Sequence, residues 1–131
     1  MGHSYVKLRV HLIWSTKYRV ECLEPAWRPA LFGEFESIAT RERGHIICSG
    51  GVRDHVHLLA EFPADLAISS FAQRLKTWSS HWIRKHIAGL DRFRWQQGYA
   101  AFTVHHARLD RLIRYIQNQP QHHNEQLQPE R

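Results

Sequence analysis

The sequence predicts an α+β fold in one domain, a four-stranded antiparallel sheet with helices packed on one face. Three observations carry that expectation. The chain has 131 residues, which suits a single domain. Its apolar residues recur with period two in some stretches and near 3.6 in others. Those stretches follow one another as β-α-β-β-α-β-α. The first six segments match the split β-α-β, ferredoxin-like arrangement, and the seventh is an added C-terminal helix.

Each element rests on its own pattern. Residues 5–14 alternate, with Val6, Leu8, Val10, Leu12 and Trp14 on one face of a strand. Pro25 opens a helix reaching Arg43, with Trp27, Leu31, Phe35 and Ile38 at helical spacing and Gly44 as its stop. Residues 45–49 read as the second strand, followed by a turn or bulge at Gly50 and Gly51. The third strand spans 54–62 and ends at Pro63. A second helix covers 66–86 on a stripe of Phe71, Leu75, Trp78 and Trp82. A loop at 89–98 leads to a fourth strand at 99–104. The last helix, 107–119, carries Leu109, Leu112, Ile113 and Ile116, and Pro120 marks its boundary. The domain is thus expected to span 1–119, with a short polar tail at 120–131. The sheet face away from the first two helices is expected to stay open for a partner.

Composition narrows the function. With 43% hydrophobic and 23% charged residues the chain can bury a core. Eighteen Lys and Arg oppose twelve Asp and Glu, and fourteen of the eighteen are Arg, a planar fork suited to phosphate. The excess is localised: residues 66–119 hold nine cations and two acids, whereas 21–61 hold four cations and seven acids. A polyanion-binding surface explains this, as does a pair of solvated helix faces. No apolar run approaches the roughly 18 residues of a membrane span, and residues 1–12 do not read as a signal peptide. Cys22 and Cys48 form neither a C-x-x-C pair nor a zinc cluster, so free thiols and a cytoplasmic location are expected.

Chemistry concentrates in two places. His55, Val56 and His57 lie in a strand, where positions i and i+2 share a face, so both imidazoles can reach one cation. Two surface histidines would give the same pattern. Tyr115 sits at the margin of the last helix's apolar stripe, with Gln119 one turn further on the same flank. A packing tyrosine fits that position too. As a nucleophile, a phenol with an ordinary pKa near 10 would need a metal ion to offset phosphodiester charge. Arg111 and Arg114 nearby would favour such a substrate. His11 shares a strand face with Lys7 and Arg9, where DNA could lie. Trp95 and Tyr99 flank a loop where an unpaired base could stack.

The His55-Val56-His57 strand is like the HUH motif (His, bulky apolar, His). Lys17-Tyr18-Arg19, Leu75-Lys76 with Ser79-Ser80, Trp95-Gln96-x-Gly98-Tyr99 and Tyr115-Ile116-x-Asn118-Gln119 complete the set in order. Over about residues 5 to 123 the chain resembles the single-tyrosine HUH transposases of the IS-two-hundred/IS-six-hundred-and-five kind, with their REP-associated relatives. The resemblance implies a bacterial or archaeal, nucleoid-associated enzyme that recognises single-stranded DNA with hairpin ends. Tyr115 would attack a phosphate to give a 5′-phosphotyrosine link. His55, His57 and Gln119 would hold Mg²⁺ or Mn²⁺. Lys17, Arg19, Arg74, Lys76, Arg111 and Arg114 would contact DNA. The resemblance also implies a homodimer in which the tyrosine helix of one subunit completes the histidine site of the other. Relatives of this kind commonly extend further beyond the Gln-Pro-Gln-His-His stretch at 119–123, whose His122 and His123 read as a tail feature.

Two other classes compete. A non-catalytic ferredoxin-like nucleic-acid-binding module would share the fold and the charge, but the third strand carries histidines where stacking rings would be wanted. A metal-dependent hydrolase using bound water would leave Tyr115 structural. Covalent capture of DNA separates the three.

Overall fold

A computed structural model describes residues 7–122. The strands are β1 (Lys7–Ser15), β2 (His45–Gly51), β3 (His55–Pro63) and β4 (Ala100–Thr103). The helices are α1 (Arg28–Arg41), α2 (Ile68–His86), α3 (Leu109–Gln117) and a single turn, α4 (Gln119–His122). Short 3₁₀ turns occupy Lys17–Arg19 and His106–Arg108. The sheet order is β2-β3-β1-β4 with every pairing antiparallel, the α+β, ferredoxin-like topology expected. No helix among the described residues is long and apolar enough to cross a membrane. The expected strand start at Tyr5 and Val6, and most of the expected tail, from 123 onward, lie outside the described residues.

The two faces of the sheet do different work. Val10, Leu12 and Trp14 of β1, and Val56, Leu58 and Ala60 of β3, point into the main core. There they meet Leu31, Phe35 and Ile38 of α1 and Phe71, Leu75 and Ile83 of α2. At the strand's start Leu8 is exposed, so the predicted apolar face of β1 is buried only from Val10 onward.

The second-helix stripe also needs correction. Ala72, Ser79 and Ser80 are buried with Phe71 and Leu75, while Trp78 is half exposed and Trp82 lies at the margin against Trp27. Small residues face the layer beneath because that interior space is taken by another ring. Trp95 packs in the core against Trp14, Phe35 and Phe93, and its Nε1 donates to Ser79 Oγ at 2.9 Å. Trp95 is therefore a core residue and no platform for a base. The stop of α1 differs as well: Arg43, not Gly44, takes the left-handed conformation, at φ 63°.

The opposite sheet face is not open. A second cluster of Cys48, Leu59 and Ile116, with Ile47, Val104, Leu109, Leu112 and Ile113 packed on it, docks α3 there. The stripe predicted for the last helix thus packs on the chain's own sheet, with Ile116 buried and Leu109, Leu112 and Ile113 partly covered. Pro120 does not close that helix; α3 ends at Gln117, and Pro120 sits in the first turn of α4, where a missing N–H costs nothing.

Candidate active site

The sheet face under α3 gathers the histidines. Antiparallel pairing of β1 with β3 sets His11 opposite Leu59 and Ile13 opposite His57, so His11 lies diagonally from His57 on one face. The His11 and His57 rings stack with centroids 5.1 Å apart, and His11 Nε2 lies 2.8 Å from His57 Nδ1. Both are buried, at 8% and 5% exposure, so neither lies on an open face. Burial also lowers the pKa of His11. The His55 ring is 5.2 Å from that of His57, and its Nδ1 lies 2.8 Å from Asp54 Oδ1.

Arg19 reaches the same carboxylate, with Nε 3.0 Å from Asp54 Oδ2. Tyr18 and Arg19 both adopt left-handed backbone, φ 59° and 56°, unusual for residues with side chains. Burial would raise the Asp54 pKa, but hydrogen bonds and charge from His55 and Arg19 outweigh it, and the carboxyl titrates below its ordinary value. An ionised Asp54 accepts the Nδ1 proton of His55 and so orients that ring.

Tyr115 arrives on α3. Its ring meets that of His57 edge-on at 5.9 Å, and the side chain is 41% exposed. Gly50 makes this approach possible: a Cβ there would lie 1.8 Å from the Ile116 carbonyl oxygen. The pair Gly50 and Gly51 is therefore the end of β2, not a turn, and Gly50 is the seat of α3. Tyr115, His55, His57 and Arg19 line one cleft of about 440 Å³ together with Gln96, Gln97, Gly98 and Tyr99. An adjoining apolar groove, lined by Phe102, Arg108, Arg111 and Leu112, reaches Tyr115 from its other side.

Within this single chain the tyrosine helix lies against the histidines of its own sheet, where its apolar stripe meets β2 and β3.

The remaining expected residues divide. Gln119 is fully buried, and its Nε2 donates to the Tyr115 carbonyl at 3.3 Å. Arg111 and Arg114 are exposed on α3. Lys17 lines a separate cavity with Tyr18, Arg92 and Arg94. Arg74 pairs with Glu42, bridging α2 to the end of α1, so it is a helix cross-link rather than part of the cleft. Lys76 is buried, and its Nζ donates to the Gln96 and Gly98 carbonyls, each at 2.6 Å. Two of its three donors hold the loop that walls the cleft, and the residue also borders an open cavity with Gln73, Thr77, Ser80 and Arg94. Burial lowers its pKa.

Sequence reasoning assigned no role in the site to His11. The signal existed: with β1 next to β3, alternation alone puts His11 on the face of His55 and His57.

No cluster of three or more His, Cys, Asp or Glu able to cage a metal occurs among the described residues. The donors are two imidazoles whose Nδ1 atoms are engaged by Asp54 and His11, with the neutral amide of Gln119 one turn beyond Tyr115. The two imidazoles on the cleft wall suit a divalent ion that takes the rest of its shell from water and a substrate phosphate, whereas Gln119 is fully buried and does not line that cleft.

The chain is similar in sequence and fold to known proteins. Residues 4–119 match the family model described as "Transposase IS200 like". The ISDra2 transposase TnpA of Deinococcus radiodurans is 28% identical over 127 residues, covering 90% of this chain and 89% of that protein. The transposase for insertion sequence element IS200 of Salmonella typhimurium is 26% identical, covering 79% and 72%. A crystal structure from Deinococcus radiodurans R1, described as that of a transposase, superposes with a TM-score of 0.71 at 29% identity, over 91% of this chain and 96% of that one. The structure of a REP-associated tyrosine transposase bound to a REP hairpin superposes with a TM-score of 0.68 at 17% identity, over 94% and 73%, a likeness of fold.

Proposed function

Since the chain belongs to the IS200-like transposase family, we propose that it cleaves and rejoins single-stranded DNA through Tyr115, with a divalent metal held by His55, His57 and Gln119. The observation that carries this reading is the Tyr115 ring beside His57 in a cleft shared with His55 and Arg19. A phenol, two oriented imidazoles and a guanidinium in one open cleft suit a phosphodiester better than a neutral substrate.

The chemistry follows from the groups. The Tyr115 Oη attacks the scissile phosphorus and loses its proton to solvent. The bond from phosphorus to the 3′ oxygen breaks, leaving a 3′-hydroxyl on one fragment and a 5′-phosphotyrosine on the other. Attack by a 3′-hydroxyl on that link reverses the step and rejoins DNA, so no external energy source is required. When bound, Mg²⁺ or Mn²⁺ supplies charge that polarises the phosphate and favours the phenolate. Asp54 orients His55, and Arg19, anchored on Asp54, adds positive charge at the mouth of the cleft. The exposed Arg108, Arg111 and Arg114 of the last helical segment would track the backbone beyond it. A hairpin-bearing substrate is the reading that the REP hairpin on the structural relative supports.

The test is covalent capture. Single-stranded DNA carrying a hairpin from the repeats flanking the gene, labelled on the 3′ side of the cut, is incubated with the protein and Mn²⁺. A labelled adduct that survives a denaturing gel and disappears with chelator is expected. Bound but uncut DNA would favour the binding module, and cleavage without an adduct would favour a bound-water hydrolase.

A further inference from the structure

We propose that His11 is a positioning residue for His57: its Nε2 accepts the Nδ1 proton of His57 and holds that ring in the tautomer whose Nε2 can ligate a divalent cation. This deepens the metal reading above and rests on it.

A 2.8 Å contact between two ring nitrogens needs one proton and one lone pair. Two arrangements satisfy it. With the proton on His11 Nε2, the neutral His57 ring carries its own proton on Nε2 and cannot ligate through that atom. With the proton on His57 Nδ1, the lone pair of His57 lies on Nε2. His55 obeys the second pattern, since its Nδ1 faces the acceptor-only carboxylate of Asp54. A site that uses both imidazoles through the same atom needs His11 to accept.

The surroundings favour a dedicated role. His11 is buried, its ring stacks on His57, and the Phe102 ring of β4 lies 6.2 Å from it, tilted by 50°. A polar ring buried between β3 and β4 costs stability relative to an apolar one unless hydrogen-bonded, and the bond it makes goes to His57. The β1–β3 register sets the two side chains on neighbouring diagonal positions, so the contact is built into strand pairing rather than into a loop.

Two substitutions separate the hydrogen bond from the packing. His11→Phe keeps a flat ring in place and removes the acceptor. His11→Gln puts an amide oxygen near the position of Nε2. Mn²⁺ affinity is read by calorimetry on the full chain, without DNA. Loss of such an outer partner typically weakens a metal about 10- to 100-fold, so His11→Phe should fall in that range while His11→Gln stays within about threefold of the parent. Equal affinity in parent and His11→Phe overturns the proposal, as does an equal loss in both variants. A parent chain that binds no Mn²⁺ overturns the metal reading and this inference with it. Should His11→Phe fail to fold, the nitrogen-15 shifts of His57 in the parent decide: protonated Nδ1 and bare Nε2 support the proposal, and the reverse tautomer overturns it.

Discussion

The rings of Tyr115 and His57 meet edge-on at 84°, centroids 5.9 Å apart, within a single chain. That contact uses the ring and not the phenol oxygen, so Tyr115→Phe should keep it. The variant is expected to bind hairpin DNA with affinity near the parent and to lose cleavage by about a thousandfold or more, the scale of removing a nucleophile. Cleavage within tenfold of the parent would exclude Tyr115 as the attacking group.

Gly50 decides where that ring sits. A methyl group there would collide with the Ile116 backbone, so Gly50→Ala must push α3 off β2. Overpacking of this kind costs about 1–3 kcal/mol, and Tyr115 moves with the helix. We expect a folded protein of lower Tm, with cleavage reduced at least tenfold and DNA binding less affected. Unchanged cleavage would show that α3 need not rest on β2 for chemistry.

Cys48 reports on the same docking. It lies under α3 with Leu59 and Ile116, and burial pushes its thiol up to about 11. At pH 8 about one such thiol in a thousand is thiolate, the reactive form, so alkylation should be slow and rise about tenfold per pH unit toward 11. Half-buried Cys22 should label first. In Gly50→Ala the labelling of Cys48 should accelerate, and mass spectrometry of the labelled peptides measures it. Fast Cys48 labelling in the parent would mean that α3 does not stay docked.

What the sequence disclosed follows from periodicity. Strand alternation found β1 and β3, and with the topology it placed His55 and His57 on one face. Helical spacing found the stripe on α3 that carries Tyr115. The misreadings have a common cause, which is that spacing shows a face but not what covers it. Gly50 looked like a turn because glycine in sequence does not distinguish a bend from a close helix contact. Trp78 seemed interior, though Ala72, Ser79 and the incoming Trp95 take that space. Lys76 reads in sequence as a bare cation, because charge alone does not show that two loop carbonyls accept from it.

Lys76→Met separates a loop anchor from a phosphate contact. Methionine preserves much of the buried stem but leaves the Gln96 and Gly98 carbonyls without the ammonium, a loss of about 1.5–3 kcal/mol for charged hydrogen bonds. A Tm lower by several degrees and slower cleavage are expected, since Gln96 to Tyr99 wall the cleft. The salt slope of DNA binding should stay as in the parent. A slope shallower by about one would instead identify Lys76 as a phosphate contact.

The last prediction concerns which chain supplies the tyrosine. The apolar stripe of α3 packs on its own sheet, with Ile116 fully buried and seated on Gly50 of the same chain. Moving α3 to a neighbour would require breaking that whole contact, and the link available is short: β4 ends at Thr103 and α3 begins at Leu109. A mixture of Tyr115→Phe and His57→Ala proteins should therefore stay inactive. In a cis arrangement every chain carries one lesion in its only site, whatever it associates with. Subunit exchange, monitored by differently labelled chains, provides the control. If cleavage returns, and returns only when chains exchange, the helices swap between subunits and one intact site has formed from two damaged proteins. The same mixture made with Gly50→Ala in both chains would then show whether release of α3 from β2 is what permits the exchange.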